Sequence, residues 1–206
     1  MKTLLFDYDG TIGDTYGLMI SCVNQLSTKY HYSTVTNSVE WKNKTLKQAL
    51  TEDLHIKRYT LPFYTRAIKK LFKLHIQDVE CFPGIKEMLH TLAQHFSLSI
   101  LSSNAREVIV WFLAKNGIPV FQHIHSDSSL FGKDKTIMRF IRKYWLEKQD
   151  VIYVWDEVRD ILACKKIWIP IIAVTRWWNS KKILEQYSPD YLVDDPGEIL
   201  KVVQGL

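Results

Sequence analysis

A chain of 206 residues, 47% hydrophobic and 24% charged, has enough apolar material for one ample core plus a modest insertion, which excludes disorder, collagen-like repeats and low-complexity architecture. Its 27 basic residues against 22 acidic ones leave a formal charge of +5, too small and too dispersed an excess to point to nucleic acid as a partner. Cys22, Cys81 and Cys164 are odd in number, far apart and without CxxC spacing, so they read as free thiols of a reducing compartment rather than a disulfide frame.

The chain opens on a strand-like run, Thr3 to Phe6, which Asp7 and Asp9 cut off well short of a signal peptide. No later apolar run approaches the about 18 residues that a membrane-spanning helix needs, so a soluble, cytoplasmic protein without a membrane partner is expected. From Asp14 to Asp78 the pattern is helical. Tyr16, Met19, Ile20, Val23, Leu26 and Tyr30 form one apolar stripe, and a second helix is expected over Thr45 to Leu54. A third starts at Leu61-Pro62, with proline in its first turn, and runs through Ile68, Leu71 and Phe72. Phe82-Pro83-Gly84 marks the return, and Ile85 to Leu92 forms the next helix.

Four further strands then alternate with helices. The strands are Leu98 to Leu101, Phe121 to His125, Val151 to Val154 and Ile169 to Val174; the helices are Glu107 to Lys115, closed by Gly117, then Ile137 to Tyr144 and Asp160 to Ile167. That alternation argues for an α/β fold, a Rossmann-like parallel sheet covered on both faces, with an all-helical insertion after its first strand.

Ligands of such sheets bind at the carboxyl ends of the strands. Those ends carry Asp7 and Asp9, then Ser102-Ser103-Asn104, then Phe131-Gly132-Lys133, then Asp156 and Asp160. Two carboxylates plus a third from another loop suit Mg²⁺, a hard cation that takes few protein oxygens. Asp7 is then a candidate carboxylate nucleophile toward phosphorus, and Asp9 the acid that protonates the leaving oxygen and later deprotonates water. Ser103 and the Asn104 amide can hold phosphoryl oxygens, and Lys133 can neutralise their charge.

In this combination the sequence resembles the haloacid dehalogenase-like hydrolases, nearest their phosphoglycolate-phosphatase-like branch. Leu5-Phe6-Asp7-Tyr8-Asp9-Gly10-Thr11, Leu101-Ser102-Ser103-Asn104, Gly132-Lys133 and Val154-Trp155-Asp156-Glu157-Val158-Arg159-Asp160 match the family's four motifs in order. The resemblance implies a core of residues 1–13 and 79–206 and a helical cap of residues 14–78. It implies Asp7 as nucleophile, Asp9 as acid/base, and Ser103 and Lys133 as catalytic, with Thr11 and Asn104 on the substrate. It implies Mg²⁺ on Asp7, Asp156 and the backbone carbonyl of Asp9, with Asp160 supporting from behind. Dehalogenating relatives lack a carboxylate at the position of Asp9, which favours phosphate chemistry. The expected activity is Mg²⁺-dependent hydrolysis of a small phosphorylated metabolite through an aspartyl phosphate, by a monomer or homodimer. A phosphomutase of the same superfamily, or a catalytically silent binding protein of this fold, are the alternatives.

Four tryptophans break the family pattern. Trp145, Trp155, Trp168 and Trp177 stand where relatives have glycine, in a chain with 7 Trp and only 8 Gly. Ordinary divergence explains this, or a genetic code that reads UGA as glycine, translated here as tryptophan. On either account, Trp155 is expected to point away from the metal and to compete for volume with Phe6, which precedes Asp7 in the equivalent place. Trp177-Trp178 is a candidate exposed patch for a partner. His123 and His125 share a strand face but lack further ligands to complete a metal site. Arg66, Lys69, Lys70 and Lys73 read first as a solvated basic face, and second as a contact for a substrate anion.

Overall fold

The computed structural model describes residues 1–45, 48–127, 132–175 and 178–205. Six strands form one sheet: β1 (Thr3–Phe6), β2 (Ser97–Ser102), β3 (Phe121–Ser126), β4 (Val151–Trp155), β5 (Ile171–Val174) and β6 (Tyr191–Val193). They lie in the order β3-β2-β1-β4-β5-β6, and every pairing is parallel. β1, β2, β4 and β5 are buried along their whole length, as the near-continuous apolar runs of a sheet covered on both faces require. β6 is a sixth strand beyond the five expected; three residues are too few to show a periodicity.

Side-chain alternation divides the interior in two. Leu4, Phe6, Ile100, Val154 and Ile172 face α4 (Ile85–Leu92), α5 (Arg106–Asn116) and α9 (Pro196–Gln204). Leu5, Leu101, Tyr153, Trp155 and Ala173 face α6 (Lys133–Lys143), α7 (Val158–Ile167) and α8 (Lys181–Gln186). Trp155 therefore points to the helices of its own sheet face, but the expected competition with Phe6 does not occur. Phe6 is in register with Val154, one residue earlier on β4, and so lies on the opposite face. The indole is 1% exposed and stacks on Tyr153, with ring centroids 5.4 Å apart.

Between β1 and α4 the chain makes a helical excursion: α1 (Tyr16–Gln25), α2 (Ser27–Tyr30), a 3₁₀ turn at Glu40–Asn43 and α3 (Leu61–His75), which packs on α1. The two stretches that join it to the sheet are tied to each other, since Asp14 N donates to Glu80 O (2.9 Å) and Phe82 N to Ile12 O (3.2 Å). Two expectations need correction here. The first apolar stripe is broken at Leu26, whose N–H bonds back only three residues to Val23 O. The helix expected over 45–54 begins in the α pattern, with Ala49 N on Thr45 O (3.0 Å), but widens into a π-helix at Ala49–Asp53, closed by Leu54 N on Ala49 O; positions 46 and 47 of that expectation lie outside the described residues.

Three helices end in one and the same closure. Gly117 N donates to Ala114 O and Ile118 N to Leu113 O; Trp145 N to Arg142 O and Leu146 N to Ile141 O; Trp168 N to Lys165 O and Ile169 N to Cys164 O. This is the Schellman arrangement, whose C′ residue takes the left-handed region. Gly117 does so at φ +64°, Trp145 at φ +54° and Trp168 at φ +55°. Glycine reaches that region freely, whereas a side chain carrying Cβ is strained there by about 1–2 kcal/mol. Both indoles stand in solvent, 92% and 85% exposed, so packing does not offset the strain. The parallel extends to sequence, Gly117-Ile118-Pro119 against Trp168-Ile169-Pro170. These are glycine positions by geometry. Trp177, the fourth such tryptophan, lies outside the described residues.

Candidate active site at the carboxyl edge of the sheet

The chain runs outward from β1 through β2 to β3, then returns to the other side of β1 for β4, β5 and β6. The switch point therefore falls between β1 and β4, where neighbouring loops diverge and leave a crevice. Asp7 follows β1 and Asp156 follows β4, so the two carboxylates flank this point, and Asp7 N still donates to Val154 O at 3.1 Å. The β1 loop folds back tightly: Ile12 N and Gly13 N both donate to Tyr8 O, each at 3.0 Å. A Cβ at Gly13 would come within 3.1 Å of the Tyr8 ring, which would have to shift to make room. Tyr8 is anchored edge-on against Phe112, at 5.0 Å between centroids.

Asp7, Asp9, Asp156 and Asp160 are all buried. Burial pushes the Asp7 carboxyl well above the usual range; Lys133 opposes that shift, and Asp9 and Asp156 add to it. Asp156 is likewise raised by burial and by Glu157. Asp9 is pushed up to about 6 by burial, against the Asn104 side chain, whose Nδ2 lies 3.3 Å from Asp9 Oδ1. Asn104 is itself held, its Oδ1 accepting from Ala105 N at 2.8 Å and its own N–H donating to Ser102 Oγ at 3.1 Å. Asp7 Oδ1, Asp156 Oδ1 and the Thr11 hydroxyl are buried without a hydrogen-bond partner among the described residues. Such atoms cost about 1–3 kcal/mol each, more for charged groups, unless a ligand satisfies them.

Lys133 opens α6 after Gly132, and its Nζ lies 3.8 Å from Asp160 Oδ1 and 3.6 Å from the centroid of the Trp155 ring. Burial lowers its pKa, while Asp160 and Asp7 hold the charge in place. Asp160 thus fixes the lysine, and it is also 3.6 Å from Arg159 Nε. Phe131 of the expected third motif lies outside the described residues.

Three groups carry no clear signal in the sequence. Trp178 N donates to Asp156 Oδ2 (2.9 Å), and its indole Nε1 donates to Lys44 O (2.8 Å), so this residue ties β4's carboxylate to the helical excursion. It is fully buried, which overturns its reading as an exposed patch. Asn179 Oδ1 accepts from Val158 N, and its Nδ2 reaches Lys44 O. Lys69 is half-buried, not solvated like Arg66, Lys70 and Lys73; its Nζ donates to Ser103 O at 2.9 Å. The only signal for Trp178 and Asn179 is their place after a strand end. For Lys69 it is the weaker of two readings of a basic helix face. His123, by contrast, is stacked on Tyr144 at 3.9 Å, away from these loops.

A cavity of about 90 Å³ lies beside the loops, bounded by Asp9, Ser103 and Asn104 on one side and by α1 and α3 on the other. Asp7, 1% exposed, is not part of its wall.

The haloacid dehalogenase-like hydrolase family matches residues 4–174, a span that includes all four loops. The chain belongs to this family. Over its whole length this family member is 25% identical to a phosphoglycolate phosphatase of Synechococcus elongatus, covering 99% of that protein. It is 22% identical to pyrophosphatase PpaX of Oceanobacillus iheyensis, over 98% of this chain and 97% of that one. The fold is shared with the crystal structure of a predicted phosphatase from Clostridium acetobutylicum, at TM-score 0.87 and 21% identity over 100% of this chain and 99% of that one.

Proposed function

We propose that this hydrolase is a Mg²⁺-dependent phosphatase that acts on a small phosphate monoester through an aspartyl phosphate on Asp7. The observation that carries this reading is the pair of buried, unpartnered oxygens, Asp7 Oδ1 and Asp156 Oδ1, at the switch point of the sheet. The donor set suits a hard divalent cation: two carboxylates on adjacent loops, with the Asp9 carbonyl between them in sequence. When bound there, Mg²⁺ would offset the mutual repulsion of these carboxylates and the charge of the phosphoryl group.

The protein's own groups divide the remaining work. An Asp7 carboxylate oxygen forms the bond to phosphorus as the bond to the leaving oxygen breaks. Asp9, oriented by Asn104 and facing the cavity, gives its proton to that leaving oxygen. It then takes a proton from the water that attacks phosphorus and frees Asp7. Lys133, Ser103 and Asn104 hold the equatorial oxygens, and Thr11 supplies a further hydroxyl. Residues 14–78 serve as a cap that lifts to admit substrate to Asp7 and closes over it. No described helix is long and apolar enough to cross a membrane.

The test is phosphate release from p-nitrophenyl phosphate by the purified chain, with and without EDTA. Release that stops with the chelator and returns with Mg²⁺ supports the reading. No release under any divalent cation overturns it in favour of a silent binding protein. An isomerised sugar phosphate without free phosphate, seen with hexose phosphates, points instead to a mutase.

A further inference from the structure

The cavity beside Asp9 is of a different character from the loops it adjoins. Val23, Trp41, Leu50, Ile68, Phe72 and Trp178, all buried, make most of its wall. The hydroxyls of Tyr64 and Thr65 and the indole N–H of Trp178 are turned to protein acceptors. Tyr32 donates its hydroxyl to Val23 O and stands 3.0 Å from the Tyr64 hydroxyl, so Tyr64 donates to Tyr32. Thr65 Oγ1 donates to Leu61 O at 2.9 Å, and the Trp178 indole to Lys44 O. Lys69 is the one cation among the described wall residues, and it is anchored on Ser103 O, at the end where the phosphoryl group is expected. The other cations of α3 (Arg66, Lys70 and Lys73) are exposed and line no part of the cavity.

A carboxylate placed in the apolar end would meet no cation there among the described wall residues, and a buried charge without a partner is strongly disfavoured. An alkyl group would meet mostly apolar side chains there among the described residues. Size bounds it further: a dry apolar cavity of about 150 Å³ takes the six carbons of benzene, so this one takes about four on the same scale.

Resting on the phosphatase reading above, we infer that the leaving group of the substrate is a short, uncharged alcohol whose alkyl chain of about four carbons is seated between α1 and α3, and not a small hydroxy acid such as glycolate. Selectivity then comes from shape and apolar burial at one end, while the charged loops at the other end accept any phosphoryl group.

The experiment compares kcat/KM of the full-length chain for methyl, ethyl, propyl, butyl and hexyl phosphate and for 2-phosphoglycolate, and measures binding of the matching alkylphosphonates by calorimetry. Each methylene up to about butyl should raise kcat/KM by about fourfold, hexyl should fall below butyl, and 2-phosphoglycolate should trail propyl phosphate. Ile68→Phe, which fills the cavity, should move the optimum to a shorter chain. If 2-phosphoglycolate is preferred, or chain length has no effect while phosphate is released, the inference is overturned and the phosphatase reading stands. If nothing is hydrolysed, the phosphatase reading falls. The phosphonates then still decide the cavity, because affinity that does not rise with chain length overturns the inference by itself.

Discussion

At the carboxyl edge of the sheet, Asp7 and Asp156 keep buried oxygens without hydrogen-bond partners among the described residues, whereas the neighbouring cavity turns Tyr64, Thr65 and Trp178 to protein acceptors. The first region holds unsatisfied charge against burial; the second turns these three groups to the protein and presents mostly apolar surface. A folded chain tolerates the first arrangement only where a ligand compensates it. It builds the second where recognition is by shape. On the proposed function, chemistry and selectivity sit on separate parts of the chain, the strand ends and the helical excursion, and substitutions in the two should separate as well.

The sharpest contrast comes from Asp7→Asn. An amide is a far weaker nucleophile and a poorer cation ligand, so turnover of p-nitrophenyl phosphate should vanish. Retention of more than a few per cent of the rate would remove Asp7 from the chemistry. Asp9→Asn should slow turnover by about 10²–10⁴-fold, the range for a lost acid/base. Because its backbone carbonyl survives, Mg²⁺ affinity should change much less than in Asp156→Ala. Equal losses of affinity in titration calorimetry would show that the two aspartates do not divide their roles in this way.

Trp155 sharpens the comparison from the charged side. Truncation to glycine opens a void that costs about 3–5 kcal/mol for a buried Trp. It also removes an indole N–H that is buried without a partner among the described residues, a relief of about 1–3 kcal/mol. The void wins, so Trp155→Gly should melt lower by about 2 kcal/mol, the difference of those ranges, whereas competition with Phe6 for volume would have made it a gain. Its turnover should nevertheless rise, since Lys133 is freed from the ring face to serve the phosphoryl oxygens. A fall in turnover would show that the indole holds the lysine in its working position.

The smallest effects belong to the helix ends far from both regions. Trp145→Gly and Trp168→Gly should each raise stability by about 1–2 kcal/mol, by removing left-handed strain without loss of packing. A decrease in the melting temperature of either would contradict the glycine assignment of these positions. UGG codons there would leave divergence as their origin, and UGA codons would establish recoding.

Most of the charged region is legible in the sequence, because strand ends and acidic loops carry local signals: Asp7, Asp9, Asn104 and Asp156 follow β1, β2 and β4, Lys133 opens α6, and Asp160 lies in the first turn of α7. The apolar region is not. Val23, Ile68 and Phe72 have the same helical spacing whether they fill a core or line a cavity. Trp178 and Lys69 act across more than thirty positions of sequence, which no local pattern encodes. Lys133's partner is hidden for the same reason: Asp160 is expected to support the metal, yet it lies against the lysine. Short elements without a period, β6 and the π-type turn at Ala49–Asp53, have too few residues to leave a pattern.

The central claim, covalent phosphoryl transfer to Asp7, is tested most directly by borohydride trapping during turnover. An acyl phosphate is reduced to an alcohol, so an aspartyl phosphate at position 7 becomes homoserine, readable by peptide mass spectrometry. The account predicts homoserine at position 7 alone, and only when both Mg²⁺ and a phosphate monoester are present. Steady phosphate release with an unreduced Asp7, or reduction at another carboxylate, would contradict it.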